Sequence, residues 1–183
     1  MPQWILLAEI VLLQLRSCDE TGGDEVLNTL TTFEKFIQEH EVIRVNTHQI
    51  LNAAENLMTL YRLQNSPAQF TSYQIEILND RRLNLKRSLG SLKDGLRDHH
   101  EREEEMMRPM VGEPLLRVIR QEHRKLIEKI SEVDWILLNV GPIGIFYNSQ
   151  FINQKIDALC RGVSVINRRE DSILEMLLES EEA

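Results

Sequence analysis

The chain has 183 residues, of which 42% are hydrophobic and 27% are charged, as expected for a globular domain and not for a disordered chain. Its 29 acidic residues exceed its 21 basic residues, and the resulting net charge of −8 disfavours a nucleic-acid partner. Because the chain has two cysteines, Cys18 and Cys160, and no apolar run of roughly 20 residues, we expect neither a disulfide framework nor a transmembrane span.

The most apolar stretch comes first, from Trp4 to Leu15. A signal-peptide core is uncharged and follows basic residues, whereas this stretch contains Glu9 and follows Met-Pro-Gln. We therefore expect a short apolar helix, with a cleaved or anchored leader as the alternative. A polar linker from Asp19 to Glu25 is expected to divide a segment at 1–27 from a domain at 28–183. These features predict a cytoplasmic protein, or a membrane-associated one if the apolar segment is an anchor.

The remaining residues are predicted to form helices, because apolar residues recur every three or four positions. The predicted helices span about 31–62, 71–108, 112–139 and 148–179. Capping-box motifs mark the first two starts (Thr31 to Glu34 and Thr71 to Gln74), Pro114 lies in the first turn of the third, and Asn148-Ser149 is the expected cap of the fourth. Short connections between long helices predict an all-α, up-down-up-down antiparallel four-helix bundle.

Polar residues interrupt the apolar stripes of these helices. Arg82 and Thr47 have ordinary explanations, a long side chain that reaches solvent and a bonded hydroxyl, which leaves five residues of metal-ligand type. They are His40, His99, Glu103, His123 and Glu170. At a rise of about 1.5 Å per residue, all five are expected roughly 12 to 15 Å from the same end of the bundle. A single buried histidine is usually a hydrogen-bonded core residue, but carboxylates and imidazoles buried together require mutual pairing or a cation. The convergence of all five therefore predicts a metal site.

Four motifs resemble those of the hemerythrin-like, or HHE cation-binding, domain. The most specific is His99-His-Glu-Arg-Glu-Glu-Glu-Met-Met-Arg-Pro109, which resembles the second-helix signature of that family. Three further segments resemble the family's motifs of the first, third and fourth helices. They are Glu39-His-Glu-Val-Ile-Arg44, Gln121-Glu-His-Arg-Lys-Leu126 and Arg169-Glu-Asp-Ser-Ile-Leu174, respectively. The resemblance covers about 30–180 and implies a four-helix bundle that holds non-haem iron, usually as a carboxylate-bridged pair. It further implies a protein that binds, senses or stores dioxygen, nitric oxide or iron.

The resemblance also assigns roles to the five polar residues. It implies that His40 and His99 are terminal ligands of one metal, that Glu103 and Glu170 are bridging carboxylates, and that His123 binds the second metal. His100 directly follows His99 but lies off the apolar stripe, so we expect it to be exposed.

Two positions depart from the family pattern, because Ile166 and Ile127 stand where relatives have histidine. Ile166 is predicted to lie on the apolar stripe of the fourth helix, one turn before Glu170. The ligand set is therefore incomplete, and a dinuclear, a mononuclear and a lost site all stay open. The alternative to a metal protein is a degenerate metal-free bundle that acts as a protein-interaction module. We expect no enzymatic activity, because the chain contains neither the Glu-x-x-His motif of ferritin-like carboxylate enzymes nor a Gly-x-Ser-x-Gly nucleophile motif.

Overall fold

A computed structural model describes residues 23–62 and 70–181, and every regular element within these ranges is an α-helix. Helix α1 spans Gly23–Arg62. The stretch Ser72–Asn139 contains the non-helical residue Gly112 (φ 70°), which divides it into α2 (72–111) and α3 (113–139). Helix α4 spans Pro142–Glu181. The predicted all-α four-helix bundle is confirmed, whereas the apolar segment expected before residue 19 lies outside the described residues.

The start of the first helix differs from the prediction, whereas that of the second agrees with it. Helix α1 begins at Gly23, so Thr31 lies inside the helix and the end of the expected linker is helical. The sequence between Asp24 and Thr31 contains neither proline nor glycine, so nothing stops the helix from extending to this earlier start. At Thr71, by contrast, the capping box is confirmed. The Thr71 hydroxyl accepts from the Gln74 amide (3.3 Å), and the Gln74 side chain accepts from the Thr71 amide (2.9 Å).

The fourth helix also starts earlier than predicted. Pro142 occupies its first turn, a favoured position for proline, and the amide of Ile145 donates to the carbonyl of Gly141 (3.0 Å). Ile145 is fully buried, which anchors this first turn to the core. Asn148 therefore lies within the helix, where its side-chain amide donates to the carbonyl of Gly144 (2.8 Å), and the prediction that it caps the helix was wrong.

The described residues form two compact units, each containing parts of all four helices. The histidine unit comprises residues 23–42, 98–124 and 165–181. The leucine unit comprises residues 43–62, 70–97 and 125–164. Within the leucine unit, Arg82 of α2 donates to the carbonyl of Leu137 on α3, and Lys86, one turn later on α2, pairs with Asp134, earlier on α3 (3.5 Å). These contacts show that α2 and α3 run antiparallel.

The core of the leucine unit is made of aliphatic side chains. Its largest fully buried members are Ile50, Leu57, Leu78, Leu85, Leu89, Leu96, Leu126, Ile130 and Leu137. On α4, Ile152 and Ile156 are likewise completely buried. Burying one such side chain contributes about 1.5 to 3 kcal/mol, so their repetition along all four helices stabilises this unit through packing.

The histidine unit has a smaller apolar core and a polar layer. Its core contains Phe33, Phe36, Met107, Leu116 and Leu174, all buried. Met106, which precedes Met107, is half-buried against this cluster. No helix in the described ranges combines the length and apolar character needed to cross a membrane.

Candidate metal centre

The five predicted site residues meet in the histidine unit. His40 lies on α1, His99 and Glu103 on α2, His123 on α3 and Glu170 on α4, and each is at most 6% exposed. Each helix presents its residue inward because that residue occupies a position of the buried stripe, where the other members are apolar. The helical spacing thus brings imidazoles and carboxylates together without any loop.

Four of the five form one compact cluster. One ligand atom each from His40, His99, Glu103 and Glu170 lies within 4.8 Å of the other three. The Nε2 atoms of His40 and His99 are 2.8 Å apart. The carboxylate of Glu170 approaches Nε2 of His40 (3.5 Å), and that of Glu103 approaches Nε2 of His99 (3.7 Å). This arrangement offers two imidazole nitrogens and two carboxylates to a single cation.

His123 approaches the same two carboxylates. Its Nε2 atom lies 2.8 Å from Oε1 of Glu170 and 3.6 Å from Oε2 of Glu103. Each carboxylate therefore contacts both His123 and one member of the His40 and His99 pair. Such carboxylates can hold one ion or lie between two.

Three further carboxylates orient the histidines from behind. Nδ1 of His40 donates to Asp171 (2.6 Å), Nδ1 of His99 to Glu39 (2.9 Å), and Nδ1 of His123 to Glu104 (3.0 Å). A carboxylate can only accept, so each Nδ1 carries a proton and each Nε2 faces inward. The pairs have the form of the carboxylate–histidine contacts that orient metal ligands in proteins.

The sequence analysis missed these outer carboxylates. Glu39, Glu104 and Asp171 are sequence neighbours of His40, Glu103 and Glu170, but each contacts a histidine from another helix. A signal was present, since an acidic residue flanks a predicted ligand on all four helices. Acidic residues beside the buried stripe of a helix are also common on solvated surfaces, so this signal is weak.

Two of the outer carboxylates are themselves held by arginine. Arg102 donates to Glu39 (2.7 Å), and Arg120 donates to Glu104 (3.1 Å). Burial opposes the ionisation of Glu39, but the hydrogen bonds from Arg102 and His99 outweigh it, so the pKa of Glu39 is lowered. Glu39 is therefore an anion that can accept the Nδ1 proton of His99.

The inner carboxylates lack the partners that buried charges require. Neither oxygen of Glu103 has a hydrogen-bond partner, and Oε2 of Glu170 also lacks one. Burial, together with the nearby charges of Glu170 and Glu104, raises the pKa of Glu103 well above its ordinary value. Burial also lowers the pKa of His99, which favours the neutral imidazole that binds metals. A divalent cation would satisfy all these atoms at once, so the residues present fit a metal ion.

Comparison with known proteins agrees with this geometry. The family model described as the hemerythrin HHE cation-binding domain matches residues 31–178. The chain belongs to the hemerythrin HHE cation-binding family. No curated protein and no solved structure matches the chain. The metal-binding character of the family and the cluster of His40, His99, Glu103 and Glu170 thus point to the same layer.

One prediction about this hemerythrin-family site was wrong, because His100 is 4% exposed and not at the surface. Its ring stacks on that of His123, with centroids 3.6 Å apart and planes inclined by 5°. Burial and the charges of neighbouring histidines, His123 foremost, lower the pKa of His100 to about 2, so its ring is neutral. Its Nδ1 atom has no hydrogen-bond partner.

The departures from the hemerythrin pattern also look different in the structure. Ile166 is half-buried, and the fully buried position in this turn of α4 belongs to Asn167, which is 1% exposed. The side-chain amide of Asn167 donates to the backbone carbonyl of His40 (3.4 Å). The sequence pattern predicted that the buried stripe of α4 passes through Ile166. The stripe passes through Asn167 instead, so this prediction was wrong. Ile127, on α3, is likewise half-buried.

Proposed function

We propose that this hemerythrin-family protein binds non-haem iron in the histidine unit, and that it binds, senses or stores dioxygen, nitric oxide or iron. The observation that carries the proposal is the set of inward-facing donor atoms. Three Nε2 atoms converge with two buried carboxylates, three of whose oxygens lack any hydrogen-bond partner. Protein groups leave these atoms unsatisfied, and a cation would satisfy them.

The donor set favours iron among the common metals. A mixture of imidazole and carboxylate ligands suits non-haem iron with open coordination positions, whereas structural zinc sites usually contain thiolates. The one cysteine in the described residues, Cys160, lies in the leucine unit. When bound, iron supplies open positions for a small ligand and a change of oxidation state.

The chain's own residues would divide the work as follows. His40 and His99 hold one metal position together with Glu103 and Glu170. His123 holds a second position with the same two carboxylates. The first position has two imidazoles and the second has one, so we propose a pair of sites with unequal affinities. Asp171, Glu39 and Glu104 retain the Nδ1 protons and so keep every Nε2 available for metal.

We further propose a binding protein of a reducing, cytoplasmic compartment and not an enzyme. The alternative, a degenerate metal-free bundle, is disfavoured by the same buried atoms. A bundle that had lost its metal would gain stability by replacing Glu103 with an apolar residue, because an unpaired buried carboxylate is destabilising. Instead, the layer retains five residues of metal-ligand type and three further carboxylates that orient its histidines.

Metal analysis of untagged protein tests the proposal. After anaerobic reconstitution with ferrous iron and removal of excess metal, we expect one to two equivalents of iron per chain. His99→Ala and Glu103→Ala should each remove most of the iron while the helix content remains. His48→Ala is the matched control, since His48 is an exposed histidine on α1. Less than about 0.2 equivalents, with no thermal stabilisation of the protein by any divalent metal, would refute metal binding.

A further inference from the structure

Three contacts hold the ring of His123. Its Nε2 atom faces Glu170 (2.8 Å), and its Nδ1 atom donates to Glu104 (3.0 Å). Its face is covered by the ring of His100. Neither His40 nor His99 has a parallel ring against it, since the ring contacts described for these two are edge-on or tilted.

The two contacts fix different degrees of freedom of the His123 side chain. The hydrogen bond to Glu104 selects the tautomer with its proton on Nδ1, and Arg120 in turn fixes Glu104 (3.1 Å). The stacked ring of His100 prevents His123 from turning about its second side-chain torsion, because parallel rings 3.6 Å apart leave no space for such a rotation. Together they leave one orientation in which Nε2 points at the inner carboxylates.

We propose that His100 and Glu104 are positioning residues that preorganise His123 for the second metal position. This inference rests on the proposed function. A position with one imidazole gains fewer bonds than one with two, so any freedom of that imidazole weakens binding disproportionately. Residues that orient a metal ligand typically change metal affinity by about 10 to 100-fold, which sets the size of the expected effect.

The stacked geometry argues against His100 itself being a ligand of the same ion. The lone pair of an imidazole lies in the plane of its ring, so an ion bound by His123 lies near the plane of His123. The ring of His100 is nearly parallel, at 5°, with its centroid 3.6 Å away. Its own lone pair therefore points alongside that ion and not at it, and the role of His100 is carried by its flat face.

This distinction defines the experiment. Anaerobic calorimetric titration with ferrous iron would compare the wild-type protein with His100→Phe, His100→Ala and Glu104→Gln. Phenylalanine keeps a flat ring without any nitrogen, alanine removes the ring, and glutamine keeps the shape of Glu104 but not its charge. Glu105→Gln is the matched control, because Glu105 is an exposed neighbour on the same helix.

We expect His100→Ala and Glu104→Gln to lower the affinity for the second equivalent of iron about 10 to 100-fold. The affinity for the first equivalent should stay within about threefold of the wild-type value. His100→Phe and Glu105→Gln should both behave as wild type. If His100→Phe weakens binding as much as His100→Ala, a ring nitrogen is required and the inference is wrong. It is equally overturned if neither His100→Ala nor Glu104→Gln affects the second equivalent. Wild-type protein that binds no iron at all would instead refute the proposed function.

A second readout needs no metal. Nitrogen-15 NMR of the metal-free protein, recorded at a pH where the His123 ring is neutral, reports which ring nitrogen of His123 carries the proton. Glu104→Gln should lower the share of the form protonated at Nδ1, whereas Glu105→Gln should leave it unchanged. An unchanged tautomer in Glu104→Gln would remove Glu104 from the inference even if iron binding falls. If His100→Ala is too unstable to titrate, Glu104→Gln and His100→Phe still test the inference by calorimetry, because each keeps a side chain of similar shape.

Discussion

The histidine unit and the leucine unit contain parts of the same four helices but bury different chemistry. In the described residues, seven of the eight buried polar side chains belong to the histidine unit. The eighth is Thr47, whose hydroxyl donates to the carbonyl of Ile43 one turn earlier (2.7 Å) and is thereby satisfied within its own helix. The leucine unit thus buries almost nothing that needs a partner. The histidine unit buries Glu103, whose two oxygens have none.

This difference shows how one helical pattern can serve two purposes. In the leucine unit, each inward residue contributes through apolar area, so residues of similar volume can replace one another. In the histidine unit, each inward residue contributes through a specific atom, and without a cation several of these atoms lower the stability of the fold. Stability and function are therefore expected to respond to mutation in different units.

The largest stability effect is expected in the leucine unit. Leu89 is completely buried, so Leu89→Ala should lower the free energy of unfolding by about 2 to 5 kcal/mol, through lost apolar contact and a residual cavity. Iron per folded chain should not change, because Leu89 contributes no ligand. Urea unfolding and metal analysis of the same sample measure both quantities, with Leu89→Met as the volume-conserving control. If Leu89→Ala loses iron at a temperature where the variant is fully folded, packing in the leucine unit and metal binding in the histidine unit are not separable.

The opposite sign is expected at Glu103. In metal-free protein, Glu103→Gln removes a buried carboxyl whose pKa is raised by burial and by the charges of Glu170 and Glu104. Glutamine should therefore increase the free energy of unfolding at pH 8 by about 1 to 3 kcal/mol, while abolishing the stabilisation that added iron provides.

The pH dependence follows from the direction of this shift. Because the pKa of Glu103 is higher in the folded state, the folded protein binds more protons, and stability falls as pH rises from the unfolded-state pKa through the folded-state pKa. The advantage of Glu103→Gln should therefore be larger at about pH 8 than at about pH 5.5. Urea unfolding of chelator-treated protein at both values is the measurement. An advantage that is equal at the two pH values would mean that the carboxyl does not titrate as inferred.

A smaller effect is expected at Asn167, which joins α4 to the backbone of α1 beside His40. Asn167→Ala removes a buried hydrogen bond and leaves the carbonyl of His40 without this donor, which should lower the free energy of unfolding by about 0.5 to 1.5 kcal/mol. Asn148→Ala removes a similar bond at an exposed site in the leucine unit, and alanine is the better helix former there. Asn148→Ala should therefore be neutral or slightly stabilising. Equal losses in the two variants would mean that the difference in burial has no influence.

Sequence reasoning located the buried layer of candidate metal ligands because burial in a helix repeats every three or four residues. His40, His99, Glu103, His123 and Glu170 all interrupt that repeat, so their burial could be predicted. Sequence reasoning was wrong about the burial of some residues that lie one position before or after this repeat. A helix that contacts two neighbours buries a face wider than one stripe, so both His99 and His100 lie inward, and Asn167 is buried where Ile166 was predicted. Such details depend on the rotation of each helix, which the sequence pattern leaves open.

The outer carboxylates and the helix starts escaped prediction for a related reason. Glu39, Glu104 and Asp171 are recognisable only by the histidine that each contacts on another helix, and pairings between helices depend on the three-dimensional packing. The start of α4 at Pro142 was missed because Gly141 and Pro142 mark both the end of one helix and the first turn of the next.

The smallest effect is expected at a surface ion pair of the leucine unit. Lys155 of α4 donates to Glu132 of α3 at 2.7 Å, a distance as short as that between Arg102 and Glu39 in the histidine unit. The side chains of Lys155 and Glu132 are 37% and 47% exposed, so water screens their attraction. Lys155→Met keeps an unbranched chain beside the ring of Phe151 and should change the free energy of unfolding by less than about 0.5 kcal/mol, with no change in bound iron.

Arg102→Met removes an equally short ion pair, but one whose carboxylate accepts the Nδ1 proton of His99. Arg102→Met should therefore weaken iron binding even if it changes the free energy of unfolding as little as Lys155→Met does. Iron titration and urea unfolding of both variants make the comparison. If Lys155→Met weakens iron binding as much as Arg102→Met, the outer ion pairs of the histidine unit act through the stability of the fold and not through the orientation of the candidate ligands.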